Sequence, residues 1–287
     1  MRNRLIRSVV VAGAVVAWSG SATASSSQPA VAPTAPARAL EILVTNDDGV
    51  AAPGIDAVVE ALRALPNVHL TVVAPASNQS GSGDAYTTSP LAITQTTTAS
   101  GYPATAVAGK PADTVLYAVK QLNLHPDVVV SGINQGQNIA DFVTLSGTVG
   151  AARTAGRLGI PSIAVSAGFA ASVDYQTPSL YTSVFVEFFR TYYLQPQSGQ
   201  TAKVFNINTP SCATGAVRGL AAVPVGRAET ITGYQDLGGG SVQAITTARN
   251  ILDSDCTSTK TVFTDDLDAM NNGFGSFTVL NPDLTDL

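Results

Sequence analysis

The feature that most constrains the fold of this 287-residue chain is its alternation of short apolar segments with amphipathic ones from about residue 39. Uninterrupted β-branched runs such as Val128–Val130 are typical of strands buried on both faces. Residues 54–65 instead have the periodicity of a helix with one apolar face. The alternation predicts an α/β fold, in which helices cover both faces of a mostly parallel β-sheet.

The pattern also predicts where the individual elements lie. Strands are predicted at residues 41–45, 68–74, 105–108, 127–131, 161–166 and 203–208, and helices at residues 54–65, 111–122, 147–158 and 180–194. Residues 87–97 alternate like a hairpin or an edge strand. After a core domain at residues 39–210, we expect a β-rich C-terminal extension over residues 211–287 that serves oligomerisation, because Thr-rich segments surround a turn at Gly238–Gly240.

The N-terminus has the features of an export signal. Three arginines precede an apolar run at residues 9–18, and Ala22-Thr23-Ala24 fits a cleavage site, so residues 1–24 are predicted to be a signal peptide. A short membrane anchor is the alternative, although the run is short for a span. Residues 25–38 are rich in Ser, Pro and Ala and are predicted to be a disordered linker. We therefore expect a periplasmic or secreted protein without a stable membrane span after cleavage.

The net charge limits which classes of partner the chain could bind. Cleavage after Ala24 would remove three arginines and no acid, so the net charge would change from −5 to −8. Such an acidic protein is poorly suited to bind nucleic acid duplexes, whose phosphates need basic partners. An anionic substrate would require a bound cation to offset the repulsion.

Cysteine and histidine are rare in this chain. The two cysteines, Cys212 and Cys256, would either form one disulfide, as is plausible after export, or remain as two free thiols. Together with His69 and His125 they have no spacing that suits a structural zinc site.

Four polar segments are predicted to meet at one edge of the sheet, where ligands of open parallel sheets bind. They are Asn46–Gly49, Pro75–Gly81, Ser131–Asn138 and Ser146–Thr148. Three of them follow predicted strands, and the fourth begins a predicted helix.

Two of these segments carry groups that could bind a metal ion or a phosphate. Asp47 and Asp48 are adjacent carboxylates whose repulsion a divalent cation would relieve, and oxygen ligands suit magnesium, manganese or calcium rather than zinc. The alternative for this segment is a plain turn. Ser146-Gly147-Thr148 would offer hydroxyl and free N–H groups to a phosphate, and the alternative there is an ordinary N-cap.

The ordered set of motifs resembles the SurE family (survival protein SurE) of metal-dependent nucleotidases and phosphatases. The matching segments are Thr45–Gly49, Pro53–Ile55, Ala74–Pro75 with Asn78–Gly81, Gly109–Asp113, Pro126–Asn134 with Gly136 and Asn138, Ser146–Val149, Gly159–Ser166 and, more weakly, Thr264–Ala269. The strong part of the resemblance covers roughly residues 40–210.

The resemblance implies a Rossmann-like three-layer sandwich and hydrolysis of phosphate monoesters, most typically nucleoside 5′- or 3′-monophosphates, by metal-activated water. It assigns one divalent metal ion, magnesium or manganese with calcium as a further candidate, to Asp47, Asp48, Ser80 and Asn134. Asp47 and Asp48 would be the catalytic residues. Asn46, Asn138, Ser146, Gly147 and Thr148 would line the phosphate site. The family also implies a homodimer or homotetramer.

Several residues depart from the family pattern. Leu145 replaces a usual aromatic residue, Lys110 replaces a usual small one, and Arg153 and Arg157 occupy a helix that often carries an acid. None of these changes affects a predicted metal ligand, but they leave undetermined which leaving group the pocket accepts. The alternatives are therefore a broad-specificity acid phosphatase and a non-catalytic exported protein that binds a phosphorylated ligand. Whether water or an aspartate is the nucleophile is also left open.

Overall fold

The computed structural model describes residues 38–193 and 202–283. The predicted signal peptide, the linker up to residue 37 and Leu194 lie outside the described residues. The strands are β1 (Leu40–Thr45), β2 (Val68–Pro75), β3 (Ile93–Thr97), β4 (Pro103–Val107), β5 (Val128–Gln135), β6 (Ser162–Ala167), β7 (Val204–Thr209), β8 (Leu220–Ala222), β9 (Glu229–Gly238), β10 (Ser241–Ala248) and β11 (Gly275–Leu280). The helices are α1 (Pro53–Arg63), α2 (Pro111–Leu116), α3 (Gly147–Arg157), α4 (Gln176–Phe188) and α5 (Asp266–Asn271).

Nine of the strands form one sheet in the order β3-β4-β2-β1-β5-β6-β7-β11-β8. The six strands from β4 to β7 in this order run parallel, whereas β3 and β11 pair antiparallel with β4 and β7. Helices α1 and α4 pack on one face, and α2 and α3 on the other. The predicted α/β fold, a Rossmann-like three-layer sandwich with a mostly parallel sheet, is confirmed. None of the helices in the described ranges is long and apolar enough to cross a membrane.

The burial of β1 explains why its sequence is continuously apolar. Ile42 and Val44 pack against the α1–α4 layer, and Leu43 packs against the α2–α3 layer. Because successive side chains of a strand point to opposite faces, a strand covered on both sides needs apolar residues at every position.

Several elements differ in length from the prediction. Helix α2 ends at Leu116, and a π-helix over Tyr117–Gln121 continues it through most of the predicted range. Strand β5 continues to Gln135, because Asn134 still pairs with Ser166 of β6. Helix α4 begins four residues earlier than predicted, since the Asp174 carboxylate accepts hydrogen bonds from the N–H groups of Gln176 and Thr177. Within residues 87–97 only β3 is a strand, and it forms one of the two edges of the sheet.

The segment after residue 210 contributes to two structures. Strands β9 and β10 form a separate antiparallel hairpin, in keeping with the expected β-rich extension. Strands β8 and β11, however, complete the main sheet beside β7, so the sheet itself does not end at the predicted boundary. A disulfide joins Cys212 to Cys256 with a Cα–Cα distance of 5.9 Å, which decides between the two alternatives for the cysteines.

Asp266 holds helix α5 against the body of the protein. Its carboxylate is fully buried and accepts hydrogen bonds from the N–H groups of Gly226 at 2.8 Å, Leu267 at 2.8 Å and Ala140 at 3.1 Å. Burial raises the pKa of Asp266 to about 6, although these three donors oppose the shift.

Replacing Asp266 by Asn should therefore change how stability depends on pH. The pKa of the folded state lies above that of an unfolded aspartate, so the extra stability of the protonated wild type is present at acid pH and lost as the pH rises through about 6. We expect the free energy of unfolding of the wild type minus that of Asp266→Asn to be larger at pH 4.5 than at pH 7.5 by roughly 2 kcal/mol. Urea unfolding followed by circular dichroism measures this, and a difference independent of pH would contradict it.

Candidate functional site

The turn after β1 presents the two carboxylates. The side chain of Asn46 closes the turn, with its Nδ2 donating to the Gly49 carbonyl at 2.8 Å and its Oδ1 accepting from the Gly49 N–H at 3.2 Å. Gly49 has a φ of +104°, which favours glycine. The segment therefore forms a turn, which fixes Asp47 and Asp48 at the carboxyl end of a central strand. The predicted role of Asn46 in phosphate binding stays a prediction.

The loop after β2 lies against both aspartates. The Gln79 N–H donates to the backbone carbonyl of Asp47 at 2.7 Å, and Asn78 Nδ2 donates to Asp48 Oδ1 at 3.1 Å. Asn78 Oδ1 also accepts from the N–H of Ser80 at 2.9 Å. Ser80, a predicted metal ligand, is therefore hydrogen-bonded to a residue that contacts Asp48, and its side chain is exposed. The support from Asn78 was not among the predicted site contacts, although the residue belongs to the matched motif.

The end of β5 closes the opposite side of Asp48. The Gln135 N–H donates to Asp48 Oδ2 at 3.0 Å. Next to it, Asn134 is 8% exposed and donates from Nδ2 to the Gly136 carbonyl at 2.6 Å. Because its amide nitrogen is engaged there, Oδ1 is the Asn134 atom available to a cation.

The N-terminus of α3 lies directly against Asp47. Thr148 Oγ1 donates a hydrogen bond to Asp47 Oδ1. A β-carbon on Gly147 would come within 2.8 Å of Asp47 Cβ and 3.0 Å of its Oδ2, so only glycine allows this approach. Ser146 is the N-cap, since its Oγ accepts from the Val149 N–H at 3.1 Å. Ser146 is therefore an N-cap, and the predicted roles of Ser146, Gly147 and Thr148 in phosphate binding stay predictions.

Asn138 is fixed by a buried network of asparagines. Its N–H donates to Asn208 Oδ1 at 2.7 Å, its Nδ2 donates to Ser166 Oγ at 2.8 Å, and its carbonyl accepts from Asn206 Nδ2 at 2.9 Å. The predictions omitted Asn206 and Asn208. Two fully buried asparagines that interrupt an otherwise apolar strand were the available signal, because buried amides are retained only with partners.

The electrostatics of the turn favour a bound cation. Asp47 is 3% exposed, and burial raises its pKa to about 6, with the Thr148 donor opposing the shift and the charge of Asp48 adding to it. Burial also raises the pKa of Asp48, against the donors Gln135 and Asn78. Two poorly solvated carboxylates side by side are stabilised in their charged forms when a cation lies between them.

The oxygen atoms at this edge suit a hard divalent cation. They come from the carboxylates of Asp47 and Asp48, the hydroxyl of Ser80 and the amide of Asn134, which is the ligand chemistry of magnesium, manganese and calcium. Within the described part of the chain, no group of three or more His, Cys, Asp or Glu side chains could hold a metal. A cation at this edge would therefore depend on the neutral ligands as well as on the two acids.

Comparison with known proteins identifies the family of this chain. The sequence profile of the family described as survival protein SurE matches residues 42–232. The chain belongs to the SurE family. The SurE protein from Aquifex aeolicus, solved as a crystal structure, superimposes with a TM-score of 0.65 at 30% identity, covering 86% of this chain and 95% of that one.

Three SurE relatives carry names that state an activity. The 5′-nucleotidase SurE of Parvibaculum lavamentivorans is 40% identical over 190 residues, covering 64% of this chain and 65% of the relative. The 5′-nucleotidase SurE of Methanopyrus kandleri is 48% identical over 128 residues, or 44% of this chain and 48% of the relative. The 5′/3′-nucleotidase SurE of Photorhabdus laumondii is 33% identical over 250 residues, or 86% of this chain and 91% of the relative. The chain thus spans less than two thirds of the first two relatives and most of the third.

The hydrogen bond from Thr148 can be tested without any metal. Thr148→Val keeps the shape of the side chain and removes its donor, so we expect the pKa of Asp47 to rise further above its usual range. Thr148→Ser keeps a donor and is the matched control. NMR titration of the side-chain carboxyl carbons of metal-free protein reports the change. An unchanged Asp47 pKa in Thr148→Val would show that this contact does not hold the carboxylate.

Proposed function

We propose that this SurE-family protein hydrolyses phosphate monoesters, most typically nucleoside 5′- or 3′-monophosphates, with one divalent metal ion held by Asp47, Asp48, Ser80 and Asn134. The observation that carries the proposal is the direct contact between the buried carboxylate of Asp47 and the N-terminus of α3, through Thr148 and Gly147. The names of the three SurE relatives support the nucleotide as substrate class.

The N-terminus of α3 supplies the phosphate site. Helix N-termini carry free N–H groups and a partial positive charge, both of which favour anions. Because Gly147 has no side chain, a phosphate could approach the backbone there, with Ser146 and Thr148 on either side. Asn46 and Asn138 are proposed to complete the site from the β1 turn and the β5–α3 loop.

The catalytic roles follow from the positions of the two acids. A divalent cation held at this edge would neutralise charge on the phosphate and lower the pKa of a bound water. Asp47 is fixed by Thr148 at the phosphate end, so we assign to it the orientation of the attacking water. Asp48, held by Asn78 and Gln135, keeps its position between two loops and is assigned to hold the cation. Water adds to phosphorus, the ester oxygen leaves with a proton, and an alcohol and inorganic phosphate are released.

Export and self-association are proposed as well. The Cys212–Cys256 disulfide supports an oxidising compartment outside the cytoplasm.

The β9–β10 hairpin carries five large apolar side chains that are between 49% and 63% exposed, namely Ile231, Tyr234, Leu237, Val242 and Ile245. Such a surface supports a homodimer or homotetramer formed through the extension. Light scattering of the purified protein should give two or four times the mass of one chain, and a monomer would contradict this.

Replacing Asp47 by Asn should abolish metal-dependent turnover while leaving the fold intact, because the change removes charge and preserves shape. We expect phosphate release from adenosine 5′-monophosphate with manganese or magnesium to fall by at least about 100-fold, since metal and charge effects amount to several kcal/mol. Asp236→Asn, at an exposed position of β9, is the matched control and should keep the wild-type rate. Wild-type turnover in Asp47→Asn would refute the site.

The same assay separates the alternative functions. Chelation of divalent metals should stop turnover by the wild type. Equal rates on nucleoside and sugar phosphates with an acid optimum would favour a broad-specificity acid phosphatase. No turnover across a wide panel of monoesters and metals would favour a non-catalytic protein that binds a phosphorylated ligand.

A further inference from the structure

Two aromatic side chains lie at the two ends of one loop beside the carboxylates. Residues 168–175 connect β6 to α4, with Phe169 near the start of the loop and Tyr175 at its end. The ring of Tyr175 lies against Gly54, and burial together with the charge of Asp48 raises the pKa of its hydroxyl. The loop therefore borders the site along the side formed by Asp48.

The ring of Phe169 packs on the backbone of Gly136. A β-carbon on Gly136 would come within 2.3 Å of Phe169 Cζ and 2.7 Å of its Cε2. The carbonyl of Gly136 accepts a hydrogen bond from Asn134 at 2.6 Å, and the residue before it, Gln135, donates to Asp48 at 3.0 Å. The ring thus packs on the residue that binds Asn134 and lies next to the residue that binds Asp48, and both Asn134 and Asp48 are predicted metal ligands.

The backbone beneath this ring is firmly held. The Phe169 N–H donates to Gln137 Oε1 at 3.0 Å, the Gly168 N–H to the Thr209 carbonyl at 2.7 Å, and the Gly136 N–H to the Ala167 carbonyl at 2.7 Å. Even so, the Phe169 side chain is 58% exposed. Isolated exposed apolar side chains are common on protein surfaces, so the exposure matters here because of its location at the rim of a polar site.

We propose that the exposed face of Phe169 stacks on the planar base of a nucleoside monophosphate and makes the site prefer leaving groups that carry such a base. The inference rests on the proposed function, which puts the phosphate between Asp47 and the N-terminus of α3. From there the nucleoside extends toward the rim, where Phe169 offers a fixed aromatic surface. Because every base has a π face, stacking predicts little discrimination among the bases.

Two ligands that differ only by a base test this directly: adenosine 5′-monophosphate and ribose 5-phosphate. We expect Phe169→Ala to lose about tenfold or more in kcat/KM for the nucleotide, mainly through KM, and to change by less than about twofold for ribose 5-phosphate. Phe169→Trp keeps a planar ring and should retain the preference. Leu180→Ala removes a similarly exposed apolar side chain from α4 and should change neither substrate.

Binding measurements separate failure of this inference from failure of the proposed function. Isothermal titration of the same proteins with both ligands and magnesium should show the same selective loss in Phe169→Ala, at an unchanged melting temperature. If the wild type binds the nucleotide but hydrolyses neither ligand, the proposed function fails, and the ratio of the two affinities still decides the role of Phe169. Equal effects on both ligands, no effect on either, or no nucleotide binding by the wild type would overturn the inference.

Discussion

The structure of this site depends on keeping two neighbouring carboxylates together where water is scarce. Asp47 is almost fully buried and Asp48 partly so, and burial disfavours the charged form of each. Hydrogen bonds from three separate segments offset this cost: Thr148 from α3, Asn78 from the loop after β2, and the Gln135 N–H from β5. The proposed cation would supply the charge compensation that these donors leave incomplete.

The parallel sheet makes this convergence possible. Strands β2, β1 and β5 are neighbours, so the loops that follow them meet at one edge, and α3 returns its N-terminus to the same place. Glycines permit the closest approaches. Gly147 lets the helix touch Asp47, and Gly136 gives the ring of Phe169 a flat surface beside the end of β5. Both the aspartate end and the rim of the candidate site therefore depend on close backbone packing.

The sequence predicted the layers well, because continuous apolar strands and amphipathic helices have local signatures. The same pattern also predicted that one edge of the sheet carries Asp47, Ser80, Asn134 and Ser146. This prediction needs only the alternation of strands and helices. Contacts that depend on distant pairing were not predictable in this way. The asparagine network of β7 could be predicted only if the pairing of β7 with β6 were known. Strand β11 returns to the sheet after the β9–β10 hairpin, and the sequence of that hairpin does not indicate this pairing. The packing of Phe169 on Gly136, on which the proposed base contact rests, is likewise specified by no local pattern.

The claim on which the rest depends is that the acids at the end of β1 form a single site for a divalent cation. The most direct measurement is a titration of metal-free protein with manganese, followed by electron paramagnetic resonance of the unbound ion. We expect one manganese ion to bind per chain, to be displaced by excess magnesium, and to be lost when Asp47 and Asp48 are both replaced by Asn. No binding by the wild type, or equal binding by the doubly substituted protein, would contradict it.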